Sequence, residues 1–299
     1  RKSMLQCLGA LAASAYSVPE PSNATVPEPS NVTRGAFDTS YQAGRALEFA
    51  HFSNAAYCPL DSISSWSCKP CTAADPSFTA KTFSSSKTGM HAFVGSGGNG
   101  DIIISFRGSS NLANWIMNLQ ISKRSVYPKC DGCEVHDGFY KAWLSVSDGI
   151  LAEVTRLHNL QPHANIYVTG HSLGAGLAAL CAAELGASAH SLGFPIAGVY
   201  TYGQPRVGNA AFAAFYEQGT RVSWRVTHWR DPVPHLPIED MGFKHIGTEV
   251  FYTSDNSKYT VCDGSGEDTK CSDQFDVDPS VYDHLHYFDP PIDEISGGC

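Results

Sequence analysis

Ile166-Tyr167-Val168-Thr169-Gly170-His171-Ser172-Leu173-Gly174-Ala175 is the stretch on which the reading of this chain turns. Ile166 to Thr169 is β-branched and aromatic, which predicts a strand, and Leu173 to Leu185 is rich in Ala and Leu, which predicts a helix. Between them stands Gly-x-Ser-x-Gly, a pattern that arises by chance when it occurs alone. A strand before it and a helix after it make it a nucleophile elbow, with Ser172 on the sharp turn. Gly170 and Gly174 have a steric purpose there, since the absence of side chains lets strand and helix approach around a strained serine. The start of the helix also aims backbone N–H groups at any oxygen that becomes negative nearby.

Outward from this stretch the signals alternate. Tyr41 to Tyr57 places Ala43, Ala46, Leu47 and Ala50 at helical spacing, and Leu144 to Leu160 is helical in pattern. Ile102 to Phe106, Val199 to Tyr202 and Val222 to Val226 read as strands. Strands alternating with helices predict βαβ units, hence an α/β fold with a mostly parallel central sheet flanked by helices. With the elbow, this becomes the α/β-hydrolase arrangement.

A serine hydroxyl needs a base, and the base needs an orienting carboxylate; in this arrangement both follow the serine in the chain. Asp231 stands just beyond the strand that ends at Val226, although a turn before Pro232 would equally use an Asp. For the base, Asp283-His284-Leu285-His286-Tyr287-Phe288 offers two histidines, and chemistry alone does not choose between His284 and His286. His228, His235 and His245 read as packing or loop histidines. Phe106-Arg107-Gly108-Ser109-Ser110 follows a strand, so the backbone N–H of Ser109 can pair with that of Leu173 as an oxyanion hole. Next, Leu112, Trp115, Ile116 and Leu119 make one apolar helical face, in a stretch without charge from Ser109 to Ser122. That pattern suits an ordinary surface helix, or a lid whose apolar face shields a cleft in water and turns outward at a lipid surface.

With 299 residues, 42% of them hydrophobic, the chain can bury a large core. A net charge of −9 and no run of Lys or Arg leave no footprint for nucleic acid. Residues 1–17 combine Arg1-Lys2, a short apolar run from Met4 and Ala13-Ser14-Ala15, the pattern of a secretory signal. Residues 18–38 contain a near-exact repeat, Val18-Pro19-Glu20-Pro21-Ser22-Asn23-Ala24-Thr25 and Val26-Pro27-Glu28-Pro29-Ser30-Asn31-Val32-Thr33. This is a linker or pro-segment, bare or glycosylated at Asn23 and Asn31, and residues 39–299 form the catalytic domain. Of the ten cysteines, Cys7 lies in the signal and Cys181 in an apolar helix. The other eight can pair as Cys58–Cys299, Cys68–Cys71, Cys130–Cys133 and Cys262–Cys271, a connectivity that sequence alone does not prove. Zinc at the two Cys-x-x-Cys pairs is the competing reading, but no His stands at ligand spacing beside them.

Over its folded body the chain resembles the fungal class 3 lipases. The resemblance rests on Phe106 to Ser110, Val168 to Gly174, Gly203-Gln204-Pro205-Arg206-Val207-Gly208, Asp231-Pro232-Val233-Pro234-His235-Leu236-Pro237 and Asp283 to Phe288. It implies a catalytic triad of Ser172, Asp231 and His284, since in the family the histidine stands three residues before the Tyr-Phe pair. It further implies Ser109 and Leu173 as oxyanion donors and Ser110 to Asn118 as a lid, with Leu112, Trp115 and Ile116 on its substrate side. The same disulfides are implied, Cys130–Cys133 only from some members. Ala113 and Asn118 replace the Arg and Asp of some relatives, so ion pairs do not hold this lid in the same way. The expectation is a secreted, monomeric hydrolase of acylglycerol esters, using no cofactor and no metal, whose partner is the lipid–water interface. Feruloyl-type esterases and phospholipases A1 share the fold and are the rival readings; a non-catalytic binding protein is the remote one.

Overall fold

The computed structural model describes residues 39–299 apart from 187–193, 195, 221, 276–278, 289–291, 293 and 298. The signal, the Pro-rich repeat and the acceptors Asn23 and Asn31 lie outside the described residues. The strands are β1 (Thr79–Ser85), β2 (Met90–Ser96), β3 (Ile102–Phe106), β4 (Lys123–Arg124), β5 (Val135–His136), β6 (Ile166–His171), β7 (Ile196–Tyr202), β8 (Ser223–His228), β9 (Thr248–Tyr252) and β10 (Tyr259–Val261). The helices are α1 (Ala43–Ala55), α2 (Leu60–Ser64), α3 (Lys69–Ala74), α4 (Leu112–Met117), α5 (Asp137–Leu144), α6 (Ser147–Leu160), α7 (Leu173–Gly186), α8 (Ala210–Gly219) and α9 (Val281–Leu285).

Eight strands form one sheet in the order β1-β2-β3-β6-β7-β8-β9-β10. From β3 to β9 neighbouring strands run parallel, and the pairs β1–β2, β2–β3 and β9–β10 are antiparallel. The parallel centre is buried on both faces, and every residue of β3 and β6 is buried, including the polar Ser105, Thr169 and His171. Side chains alternate across the sheet. Ile102, Ile104 and Phe106 join α5, α6, α7 and α8 in one core. Ile103, Tyr167 and Tyr200 join α1 in the other, where Phe49 stacks on Tyr200 at 4.7 Å. Helix α7 is buried from Gly174 to Leu185, as its all-round apolar sequence requires.

The stretch from Leu144 to Leu160, read as one helix, is two. Leu144 ends α5, the Ser145 hydroxyl donates to the Ala142 carbonyl at 2.7 Å, and α6 begins afresh at Ser147. The periodic Ile150, Val154 and Leu157 belong to α6 alone. All four expected disulfides are formed, Cys58–Cys299, Cys68–Cys71, Cys130–Cys133 and Cys262–Cys271, so those thiols are not available to zinc; Cys181 is free and buried.

Candidate active site

Ser172 occupies the corner between β6 and α7 with φ at +60°, the left-handed region that a non-glycine residue visits only under constraint. Its N–H donates to the Tyr202 carbonyl at 2.9 Å, tying the turn to the end of β7, and its carbonyl accepts from Ala175 N–H at 2.9 Å. A methyl on Gly170 would run into the backbone of Gly174 and Ala175. On Gly174 it would meet the backbone of Phe106 and Arg107, so this glycine lets the elbow sit against the end of β3. Close approach brings the first residue of α7, Leu173, to the loop that carries Ser109. That loop is itself fixed: Arg107 donates to the Gly89 carbonyl at 2.6 Å and lies 2.9 Å from His91 Nδ1, and a methyl on Gly108 would strike the Ser172 side chain.

Asp231, in the loop after β8, and His284, on α9, meet across the C-terminal ends of the strands. Both are about 1% exposed or less, and His284 Nδ1 lies 2.8 Å from each Asp231 oxygen. The carboxylate also accepts from the Tyr287 hydroxyl at 2.6 Å and from Val233 N–H at 2.8 Å. Burial alone would push the Asp231 carboxyl up, but the His284 ring and these hydrogen bonds outweigh it and hold the group below the usual carboxylate range. Burial and the neighbouring Asp231 push the Tyr287 hydroxyl far up, so it remains a donor. A charged carboxylate on Nδ1 fixes the tautomer with the proton there and leaves Nε2 as the basic nitrogen. Both His284 Nε2 and Ser172 Oγ are buried and lack a hydrogen-bond partner among the described residues. A hydroxyl and a basic nitrogen left uncommitted among the described residues are the two groups that a serine nucleophile and its base require, and in this structure they are not hydrogen-bonded to each other.

His286 takes no part: α9 is helical rather than extended, so residues two apart diverge, and the His286 ring stacks on Tyr282 at 3.6 Å. His228, His235 and His245 bond to Asp283, Asp273 and Pro234 respectively, as packing or loop histidines do.

The segment expected as a lid, α4, is capped by uncharged groups. The Asn111 side chain accepts from Asn114 N–H at 3.0 Å, and Asn118 Nδ2 donates to the Asn114 carbonyl at 2.7 Å. Leu112, Trp115 and Ile116 are half-buried, Trp115 stacks on Phe139 at 6.2 Å, and Met117 is 82% exposed. Leu119, expected on the same helical face, lies beyond the helix end and packs on the core from the following turn. Elsewhere Glu239, Glu267 and Asp273 cluster, but Arg206 already stands among them, 2.6 Å from Glu267 and within 3.8 Å of the other two. The cation in that cluster is a guanidinium.

Residues 103–241 match the family model described as lipase (class 3). The chain is 40% identical over 227 residues to a lipase of Rhizomucor miehei, covering 75% of this chain and 62% of that one. It is 41% identical over 191 residues to secreted mono- and diacylglycerol lipase 1 of Fusarium solani, covering 60% and 54%. The solved Rhizomucor miehei lipase propeptide complex superposes with a TM-score of 0.77 at 34% identity, covering 86% of this chain and 82% of that one. This chain belongs to the class 3 lipase family. It spans between half and two thirds of the length of the two curated relatives.

Pattern reading gave no role to four residues around the site of this class 3 lipase. Gly203, with φ at +55°, leaves room for Asp231 and His284. Tyr287 reaches Asp231, and Tyr57 and His171 bond to one another. Only the place of Tyr287 three residues after His284, and the Gly that opens Gly203 to Gly208, gave any signal, and neither was decisive without the fold.

Proposed function

We propose that this class 3 lipase is a secreted serine esterase that hydrolyses acylglycerols through an acyl-enzyme. Ser172 Oγ attacks the ester carbonyl carbon while His284 Nε2 takes its proton. The carbonyl oxygen becomes an oxyanion held by the backbone N–H groups of Ser109 and Leu173. Collapse breaks the ester C–O bond, and His284 returns the proton to the departing glyceride alkoxide. Water, deprotonated by the same nitrogen, then attacks the acyl-serine and releases the fatty acid. Asp231 fixes the His284 tautomer and stabilises its charged form, and Tyr287 steadies Asp231.

The observation that carries this reading is the pair of buried groups without a hydrogen-bond partner among the described residues, Ser172 Oγ and His284 Nε2, with Nδ1 committed to Asp231. An acylglycerol substrate is supported by the uncharged α4, whose Leu112, Trp115 and Ile116 offer an apolar face to a lipid surface, and by the names of the relatives, lipase and secreted mono- and diacylglycerol lipase. Export is supported by those names and by four disulfides. Among the described residues no helix is long and apolar enough to cross a membrane. The pro-segment at residues 18–38, with sugars on Asn23 and Asn31, belongs to the same proposal. The test is initial rates on an emulsified triacylglycerol, a diacylglycerol and methyl ferulate, followed through the solubility limit of the lipids. A rate that jumps as the interface forms is expected. Ferulate turnover without such a jump would replace the lipase by an esterase of soluble substrates.

A further inference from the structure

His171, the residue between Gly170 and the nucleophile, is a buried titratable group that the mechanism above does not use; it is 1% exposed. Its Nε2 lies 2.8 Å from the backbone carbonyl of His284, and its Nδ1 lies 2.8 Å from the Tyr57 hydroxyl. A carbonyl only accepts, so Nε2 carries the proton; a neutral ring then offers Nδ1 as an acceptor, and Tyr57 donates. One arrangement of protons satisfies the whole chain. Burial and the adjacent His284 hold His171 well below the ordinary imidazole value, which keeps the ring neutral. Neutrality matters because the His171 and His284 rings lie 4.4 Å apart, tilted by 34°. A cation at 171 would oppose the imidazolium that forms on His284 during turnover.

Tyr57 has a second contact. A methyl on Gly108 would collide with both the Tyr57 hydroxyl and the His171 carbonyl, so the phenol end is wedged between the elbow and the loop bearing Ser109. Tyr57 itself is anchored just past α1, its N–H on the Asn54 carbonyl at 3.0 Å and its neighbour Cys58 bonded to Cys299.

We propose that Tyr57 and His171 are positioning residues: the hydroxyl of Tyr57 sets the His171 tautomer, and His171 holds the backbone of His284 in register with the loop that supplies the oxyanion donor. This rests on the reading of His284 as the base. Both side chains are committed to protein partners, the His284 carbonyl and each other, so their effect is on the placement of the reacting groups, where displacements of about 1 Å cost roughly a hundredfold in rate.

The test uses the full chain with Tyr57→Phe, His171→Gln and Ser172→Ala, a soluble chromogenic ester, and an organophosphonate that labels the active serine. Tyr57→Phe keeps the ring and removes only the donor. It should lower kcat and the phosphonylation rate about tenfold, with KM within about twofold and the melting temperature close to that of the parent. His171→Gln keeps an N–H for the His284 carbonyl but has no imidazole tautomer to set, and should show the same split if Tyr57→Phe does not fold. Parental kcat in either folded variant, or a loss that only tracks the fraction unfolded, would overturn the proposal. Ser172→Ala separates the two levels: if it is inactive and unlabelled while Tyr57→Phe is like the parent, the positioning role alone is wrong. If Ser172→Ala still turns over, the catalytic reading falls and this inference with it.

Discussion

Gly203→Ala should disable the site without unfolding the protein. Gly203 follows β7 with φ at +55°, its N–H bonded to the Val226 carbonyl at 3.1 Å. An alanine there meets two penalties. The left-handed conformation costs about 1–2 kcal/mol for a residue with a Cβ. The methyl would also lie 2.7 Å from Asp231 Oδ2 and from His284 Cε1, and 2.8 Å from His284 Nδ1, where ordinary contact begins at 3.4 Å. The two side chains must therefore part from the methyl by about 0.7 Å, and Asp231 is held in place by Tyr287 and Val233. Moving His284 by that amount breaks its 2.8 Å bond to Asp231 and misplaces Nε2, for an expected loss in kcat of roughly a hundredfold. Gly264→Ala is the control, because Gly264 has φ at +83° and nothing within 4 Å of the added methyl. It should carry the backbone penalty alone, lowering the melting temperature by a few degrees with kcat unchanged. Kinetics on a soluble ester and thermal melts of both variants decide the matter. Parental kcat in folded Gly203→Ala would refute the reasoning.

Tyr287→Phe removes a donor from a carboxylate that sits below its ordinary range. A depressed native value stabilises the fold above the unfolded value, and that contribution is lost as pH falls through the native one. Losing the hydroxyl raises the native value, so acid unfolding and the acid limb of kcat/KM should both move to higher pH, with kcat about tenfold lower; an unmoved pH profile would show that the hydroxyl does not act on Asp231. Trp115→Ala removes the stack on Phe139 and should raise activity on dissolved substrate while shrinking the jump at the solubility limit, measured on one ester across that limit. Cys58→Ser with Cys299→Ser opens a link between residues 241 apart, worth up to about 5 kcal/mol by chain entropy, and should lower the denaturation midpoint in urea steeply.

The buried parallel strands and the elbow were legible because their constraints are local. β3 and β6 are buried at every position and open on the runs Ile102 to Ile104 and Ile166 to Val168, and the turn at Ser172 needs small residues at Gly170 and Gly174. The antiparallel edges were not legible: β1 reads Thr-Ala-Lys-Thr-Phe-Ser-Ser and is largely exposed, so no period marks it. The choice between His284 and His286 could not be made from chemistry, because nothing in Asp283 to Phe288 shows which ring turns toward Asp231. It follows at once from α9, which turns His284 inward to Asp231 and leaves His286 on Tyr282. Tyr57, His171 and Gly203 were illegible for a different reason. Their partners are 114, 113 and tens of residues away in the chain, so only the folded backbone shows what each one touches.

If α4 is the lid that the family resemblance implies, its composition fixes what can move it. From Ser109 to Ser122 there is no charged side chain, and both ends of α4 are capped by asparagine. An ionic latch would weaken with salt, since exposed charges are screened over about 8–10 Å at physiological strength. Here the observed position of α4 is held by the half-buried faces of Trp115 and Leu119 on the core. Half of a tryptophan is roughly 100 Å² of apolar area, or about 2–3 kcal/mol, which leaves a form without that contact at about 1 per cent in water. A lipid surface that accepts Trp115, Ile116 and the already exposed Met117 returns that energy, whereas added salt does not. The far end of the segment stays put. Lys123 donates to the Met241 and Gly242 carbonyls at 3.1 and 3.3 Å, and its strand β4 pairs with β5. Opening is therefore a motion of α4 about a fixed Lys123, driven by apolar transfer, and its onset should follow the solubility limit of the lipid and be nearly indifferent to ionic strength.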